Sequence, residues 1–475
     1  MSQSSENTPS PSYSNRFEAL PISSELREVI KEVGYELMTE IQAKAIPELL
    51  NGKDVIGQSK TGSGKTAAFS IPILQKVNVA ERSVQTLILC PTRELCAQVA
   101  REIRRLGRKM PGLQVITVCG GMPFGPQASA LEKGVHIVVG TPGRIQDHLR
   151  RATLSLSRIR TVILDEADRM LDMGFQEDME TILKECPERR QTVFFSATFP
   201  DSIEDMSAAY QRSAVRITVA TQDVKPDIHQ VVYEASIEHK PTVLQGLLAQ
   251  ISATSTIVFC NLKATTVQLA TELSKHGVSV AALNGDLMQI DRDKVLARFR
   301  NQSIRVLIAT DVAARGIDIQ GLDLVVNYDL PSKADAYVHR IGRTGRAGRK
   351  GLAISLASAR ENFRIEQIED HTGVKMEREV FKAVDKKLLA ADKPAEAIMA
   401  TIHINAGRKQ KLRPGDILGA LTGEAGQLQA SDVGKIEIHD MFAYVAVSSR
   451  LAKRACEALQ NGRIKGRKFT VNLVR

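Results

Sequence analysis

Thr161-Val162-Ile163-Leu164-Asp165-Glu166-Ala167-Asp168 is an apolar run that ends abruptly in carboxylates. Its unbroken apolar core reads as a strand buried on both faces, as a parallel sheet covered by helices requires. Acidic groups emerging from the end of such a strand are where a nucleotide enzyme holds a divalent cation and aims a water. Strand ends are often capped by Asp or Glu, so the tetrapeptide alone decides little. Its weight comes from a glycine-rich loop ending at Lys65-Thr66 and a paired-arginine segment holding Arg343 and Arg346.

The same rhythm continues on both sides. Between residues 20 and 217, short β-rich runs (55–56, 86–90, 115–119, 136–139, 161–164 and 192–195) alternate with helical stretches. This is the pattern of a doubly wound parallel sheet. Thr221-Gln222-Asp223-Val224-Lys225-Pro226-Asp227 suits a linker by its proline and charges. A second α/β series runs to about residue 372, through 256–260, 278–283, 305–309, 324–328 and 352–356. The expected division is a disordered tail (1–15), a first α/β domain (16–217), a linker (218–227) and a second α/β domain (228–375). A second linker (376–400) and a small α+β domain (401–475) complete it. Most β-runs lead into small, hydroxyl-bearing or charged clusters, such as Pro91-Thr92-Arg93, Thr141-Pro142-Gly143-Arg144, Ser196-Ala197-Thr198 and Thr310-Asp311. Parallel sheets bind ligands at the carboxyl ends of their strands, so these clusters should line one edge.

With 475 residues the chain is too long for one core. No apolar run approaches the ~18 residues that would span a membrane. The Ser- and Pro-rich start lacks the basic and apolar regions of a signal peptide, and a cytoplasmic protein is expected. Six cysteines without CxxC spacing suit small buried hydrophobes better than zinc ligands. The net charge is +10, and residues 401–475 hold 13 Lys+Arg against 6 Asp+Glu, while the first 400 hold 51 against 48. The basic excess is therefore concentrated in the last sixth of the chain, as expected of a part that grips a polyanion.

Ser59-Lys60-Thr61-Gly62-Ser63-Gly64-Lys65-Thr66 reads as a phosphate loop with Ser at its first glycine position. Glycines let backbone N–H groups converge on phosphate oxygens at a helix N-terminus. Lys65 should contact the β/γ-phosphates of ATP, and Thr66 should ligate Mg²⁺. Asp165 should hold the same Mg²⁺, Glu166 should polarise the attacking water, and Asp168 should pair with basic or hydroxyl groups of the second half. In His339-Arg340-Ile341-Gly342-Arg343-Thr344-Gly345-Arg346, Arg343 and Arg346 read as arginine fingers, worth roughly 10³–10⁵ in rate in phosphoryl transfer.

Over residues 17–370 the chain resembles the DEAD-box RNA helicases. That resemblance implies two tandem RecA-like parallel-sheet domains that close on ATP and grip one RNA strand by its backbone. Phe17, Gly34, Thr39 and Gln42 look like the family's adenine-recognising motif, with Met38 where a proline is familiar. Pro91, Thr92, Arg93, Gly120, Gly121, Thr141, Gly143 and Arg144 look like its RNA contacts in the first half. Gln289, Arg292, Thr310 and Arg315 look like those in the second. Ser196, Thr198 and His339 resemble its coupling residues, and Asp318 its ribose contact.

The tail carries a β-α-β-β-α-β rhythm, which suits an RRM-like sheet. Phe442-Ala443-Tyr444-Val445-Ala446-Val447 partly matches an RNA-stacking strand, with Phe442 and Tyr444 on one face. His403 stands where an aromatic is usual, and Asp440-Met441 where Lys/Arg-Gly is usual, so base stacking and packing within the domain both stay open. Arg408, Lys409, Lys411 and Arg413, with Arg463, Lys465, Arg467 and Lys468, are the better candidates for RNA gripping. The tail looks like the C-terminal domain of the DbpA group. That implies a 23S-type ribosomal RNA hairpin as its target, the pre-ribosomal large subunit as partner, and a monomeric ATP-dependent helicase. An ATP-gated RNA clamp that seldom unwinds is the rival reading.

Overall fold

The computed structural model describes residues 15–59, 62–219, 227–251, 253–314, 319, 321–345, 350–381, 397–423, 426–439 and 441–474. They form two compact units, one ending at Gln222 and the other beginning at Asp223. The first contains seven strands: β1 (Val55–Gln58), β2 (Thr86–Leu89), β3 (Val115–Val118), β4 (Ile137–Gly140), β5 (Thr161–Asp165), β6 (Gln191–Ser196) and β7 (Val215–Thr218). All pair in parallel, in the order β3-β4-β2-β5-β6-β1-β7. Alternate residues serve opposite faces, as the two-residue period of a strand dictates. Ile88, Ile163, Val193 and Phe195 join one apolar layer, and Leu87, Val162, Leu164 and Phe194 the other.

The second unit repeats the plan with β8 (Ile228–Glu234), β9 (Thr256–Phe259), β10 (Val280–Leu283), β11 (Val306–Ala309), β12 (Leu324–Asn327), β13 (Gly351–Ala357) and β14 (Glu377–Glu379). The order β10-β11-β9-β12-β13-β8-β14 matches the first sheet strand for strand. The two RecA-like halves expected from the sequence are therefore two copies of one topology. Three strands differ from the sequence reading. β7 and β8 lie beyond the runs identified there, and the stretch read as a linker from residue 376 opens with β14. All three residues of β14 are exposed and charged, which suits an edge strand and gives no apolar signal. Residues 1–14, 220–226 and 382–396, most of the expected tail and linkers, lie outside the described residues.

A third, antiparallel sheet belongs to the same compact unit as the second: β15 (Met399–Ile404), β16 (Val433–Ile438), β17 (Ala443–Ser448) and β18 (Val471–Leu473), in the order β16-β17-β15-β18. This is the expected small α+β domain, although the preceding linker ends sooner than expected, at β15. One face, with Ile402, Ile404, Ala443, Val445, Val447 and Val471, packs with the helices Pro414–Thr422 and Ala452–Asn461 into the domain's core. On the other face His403, Tyr444 and Glu437 are cross-strand neighbours. This outer face meets the end of the helix Gln289–Arg300 from the second α/β domain. Arg300 donates to both carboxylate oxygens of Glu437, at 3.0 and 2.9 Å. Asn301 Nδ2 reaches Thr401 Oγ1 at 3.2 Å, and the Ser303 and Thr401 hydroxyls are 2.6 Å apart. Tyr444 is only 2 % exposed.

All six cysteines are buried free thiols. No helix among the described residues is long and apolar enough to cross a membrane.

Gly57 in β1 lies beside its register partner Phe195, whose ring occupies the space a Cβ would take. Gly57→Ala should cost about 1–3 kcal/mol by overpacking, read as a lower thermal midpoint of the full-length protein.

Candidate nucleotide and RNA site

The phosphate loop leaves β1 and feeds the helix Lys65–Lys76. Gly62 (φ +86°) and Gly64 (φ +95°) take the left-handed conformation that turns the chain into the helix. Lys65 is 7 % exposed, and its ammonium donates to Ser59 O at 2.7 Å. The Ser59 and Ser63 hydroxyls are 2.8 Å apart, and Thr66 is half-buried. Thr61 lies outside the described residues. Gln42 is fastened to the loop: its amide donates to Gly64 O at 3.1 Å and accepts from Thr39 N at 2.9 Å. Phe17 is 2 % exposed and stacks on Tyr35, with ring centroids 5.9 Å apart.

β5 delivers the acidic cluster beside β6, which itself pairs with β1. Asp165 is 3 % exposed, and its Oδ1 has no hydrogen-bond partner. Burial pushes its carboxyl up to about 7, with the Lys65 ammonium pulling down and the Glu166 carboxylate pushing up. A buried carboxylate oxygen without a donor fits a divalent cation at this position. Glu166 is left-handed (φ +55°), an uncommon state for a non-glycine residue, which costs roughly 1–2 kcal/mol. Its carboxylate is paired to Arg169 at 2.8 Å, with both side chains buried.

Within the first half Asp168 is already well bonded. Its Oδ2 accepts from Ala197 N (3.1 Å), Thr198 N (3.0 Å) and Thr198 Oγ1 (3.0 Å), all within the first half. Ser196 Oγ accepts from Asp168 N at 3.3 Å and donates to Thr198 O at 2.6 Å. Ser59 N in turn donates to Ser196 O at 3.1 Å. Phosphate loop, acidic cluster and Ser196-Ala197-Thr198 thus form one hydrogen-bonded chain across three adjacent strands.

In the second half the basic segment is more divided than its sequence suggests. Arg340, 1 % exposed, is consumed internally: it pairs bidentately with Asp311 at 2.7 Å and donates to Asn327, Asn261 and Asp329 O. It ties together the carboxyl ends of three strands, a role invisible in a run of arginines. Lys240, also missed, begins the helix Lys240–Gln250; it is 3 % exposed and bonds Tyr328 O and Glu361. Arg343 is buried and its carbonyl accepts from Leu322 N, while His339 is exposed. Arg346, Arg315 and Asp318 lie outside the described residues.

The residues resembling RNA contacts gather at strand ends as expected. Thr92 caps the helix Arg93–Leu106 and Pro91 is buried beside it. Gly121 (φ +73°) lets the Arg93 guanidinium lie against the backbone of the Gly120-Gly121 turn. Arg144 braces that turn, donating to Cys119 O (3.2 Å) and Met122 O (2.5 Å), with Thr141 and Gly143 flanking the start of its helix. Gln289 and Arg292 occupy the first turn of the helix Gln289–Arg300; Arg292 bonds Ala313 O, and the Thr310 hydroxyl accepts from Ala313 N. In the tail, all eight basic candidates are exposed, and the fold joins the two clusters: Lys465 Nζ donates to Lys411 O at 3.0 Å.

Comparisons with known proteins agree along the whole chain. Residues 39–206 match the DEAD/DEAH box helicase model, 239–348 the helicase conserved C-terminal domain and 401–473 the DbpA RNA binding domain. The ATP-dependent RNA helicase DbpA of Escherichia coli is 47% identical over 94% of this chain and 96% of its own length. The protein of the same name from Bacillus subtilis is 37% identical over 96% and 99%. Among solved structures, S. cerevisiae Dbp5 bound to RNA and ADP BeF3 matches with a TM-score of 0.70 and 34% identity, covering 80% of this chain and 99% of that one.

The raised Asp165 carboxyl has a definite sign. The unfolded chain releases this proton near 3.8 but the folded chain holds it to about 7, so folding is penalised progressively as pH rises between those values. In chelator, Asp165→Asn should therefore raise the melting temperature at pH 8, with the gain shrinking towards pH 4. Arg340→Met should cost about 1–3 kcal/mol by leaving the buried Asn327 acceptor unsatisfied and the half-buried Asp311 without its partner, read as a lower urea midpoint.

Proposed function

The chain belongs to the DEAD-box ATP-dependent RNA helicases, in the DbpA group, and from that membership we propose that it remodels large-subunit ribosomal RNA during ribosome assembly. It is an RNA-stimulated ATPase with a DbpA-type RNA-binding domain. The finer reading has residues 401–475 recognise a structured ribosomal hairpin and deliver the core, as a cytoplasmic monomer, to neighbouring duplexes. The observation that carries it is the convergence of two exposed basic clusters, Arg408 to Arg413 and Arg463 to Lys468, through the Lys465–Lys411 contact. A continuous cationic surface on a compact domain suits a folded phosphate backbone.

In the core, Ser59 to Thr66 cradle the triphosphate, and Phe17 and Gln42 serve the adenine. Because the Gln42 amide already holds Gly64 O, adenine recognition is wired to the phosphate loop. Thr66 and Asp165 would hold Mg²⁺, which neutralises phosphate charge when bound; the orphaned Asp165 oxygen supports this assignment. Glu166 orients and deprotonates the attacking water, its carboxylate steadied by Arg169. Arg343 and Arg346 act on the transferring phosphoryl group, and Asp318 contacts the ribose. Asp168, Ser196, Thr198 and His339 couple that event to RNA. Within the first half, the hydrogen bonds from Ser59 through Ser196 to Asp168 provide a physical path for it. Pro91 to Arg93, Gly120-Gly121, Thr141, Gly143 and Arg144 hold the RNA backbone there; Gln289, Arg292, Thr310 and Arg315 hold it in the second half.

Glu166→Gln should leave ATP and RNA binding intact and abolish turnover; normal hydrolysis would remove Glu166 from its role. Arg343→Ala should lower kcat by about 10³-fold or more with little change in KM, and an effect confined to KM would contradict the finger assignment. The decisive experiment compares ATPase stimulation by large-subunit ribosomal RNA, unrelated RNA and DNA, before and after reversing Arg463, Lys465, Arg467 and Lys468 to Glu. Preference for ribosomal RNA that disappears in the charge-reversed protein is expected. Equal stimulation by unrelated RNA would overturn the ribosomal reading.

A further inference from the structure

The helix Gln289–Arg300 has two ends with different business. Its first turn carries Gln289 and Arg292, assigned above to the RNA backbone. At its last turn begins a set of contacts to the tail. At about 1.5 Å per residue the two ends are about 17 Å apart. The distal contacts are of the kind that fix orientation: a bidentate guanidinium–carboxylate pair and two hydroxyl or amide bonds to Thr401, with Met399 N also donating to Gln302 O at 3.4 Å. They are well shielded. Glu437 and Arg300 side chains are 15 % and 27 % exposed, Asn301 is 3 % and Thr401 1 %. Burial alone would raise the Glu437 carboxyl, yet the Arg300 charge and Lys435 hold it down to about 2. The pair therefore stays ionised throughout the physiological range.

The same contacts decide what the tail's outer face can do. Tyr444, the central ring of the strand that partly matches an RNA-stacking motif, is covered, with Asp291, Asp293 and Arg300 among its electrostatic neighbours. Lys294 of the same helix acts on His403. Tyr444 is buried among the rings of His403, His439 and Phe442 of its own domain, on the face that the end of this helix meets. The exposed basic clusters lie instead on the Arg408 and Arg463 loops.

We propose that Arg300, Asn301 and Ser303 form a latch on Glu437 and Thr401. It locks residues 401–475 to the second α/β domain as one body and presents a tail-bound RNA at a fixed distance from Gln289 and Arg292. These are positioning residues: they touch neither nucleotide nor RNA, and they set which stretch of RNA beside the bound element the core engages. The inference rests on the reading of the tail as the RNA-targeting domain.

Two measurements on the full-length protein test it. Distances between spin labels on the second α/β domain and on the tail, without RNA, should be single and narrow in the wild type. Arg300→Glu should broaden them, raising the undocked fraction by about 30-fold, as expected for breaking a shielded charge pair. The charge swap Arg300→Glu with Glu437→Arg should narrow them again. Unwinding is then followed on duplexes placed at increasing single-stranded spacing from the ribosomal hairpin. The wild type should favour one spacing, Arg300→Glu should flatten the profile while hairpin affinity and stimulation by unstructured RNA stay unchanged, and the swap should restore it. Broad distances in the wild type, or an unaltered spacing profile in Arg300→Glu, would overturn the latch. A wild type with narrow distances but no hairpin preference would overturn the targeting reading and leave the docking itself established.

Discussion

A carboxylate buried at the end of a parallel strand, with one oxygen lacking any donor, is a cost that the first half of this protein is built around. Asp165 sits at the edge where β5, β6 and β1 end side by side, so the groups that could relieve it must come from those neighbours. Lys65 supplies a charge but spends its hydrogen bond on Ser59 O. Asp168 does not relieve it, because its own oxygens are occupied by the Ala197, Thr198 and Arg169 N–H groups and the Thr198 hydroxyl. The Asp165 oxygen is left without a donor among organised neighbours, an arrangement that fits a divalent cation. Preorganisation of this kind turns ligand binding into relief of an existing strain.

What could be read beforehand follows a simple division. Strands buried on both faces announce themselves as apolar runs, so β2, β4, β5, β6, β9, β11 and β12 were legible, and the phosphate loop was legible because its chemistry lies within eight consecutive residues. The edge strands β7 and β14 were not. Val215-Arg216-Ile217-Thr218 and Glu377-Arg378-Glu379 carry charge because one side of them faces water. Contacts that depend on strand order were equally hidden. The bonds from Ala197 and Thr198 to Asp168 went unread, since nothing in the chain says that β6 lies against β5. Arg340 and Arg144 looked like their cationic neighbours, yet burial converts one into a clamp on three strand ends and the other into a brace for a turn. In the tail, alternation correctly separated Tyr444 from Ala443 and Val445. The face that carries Tyr444 is met at Glu437 by a helix some 140 residues earlier, and sequence spacing carries no trace of that.

The tail's docking also changes the meaning of its composition. A domain whose net charge is strongly positive meets the core through an acidic residue, Glu437. The charge that meets the core is thus opposite in sign to the domain's net charge.

The identical strand order of the two sheets allows position-by-position comparison. Lys65 and Lys240 each begin the helix that follows the corresponding strand, β1 or β8. In the first sheet the lysine stands in a glycine loop facing an unsatisfied carboxylate. In the second its ammonium is neutralised by Glu361 and Tyr328 O, and the neighbouring strand ends are closed by Arg340. One copy of the topology keeps its edge unsatisfied, while its counterpart has turned the equivalent groups inward. The consequence is an asymmetry: of two sheets with one strand order, the first sets its lysine beside a buried acidic cluster and the second spends its lysine on internal contacts.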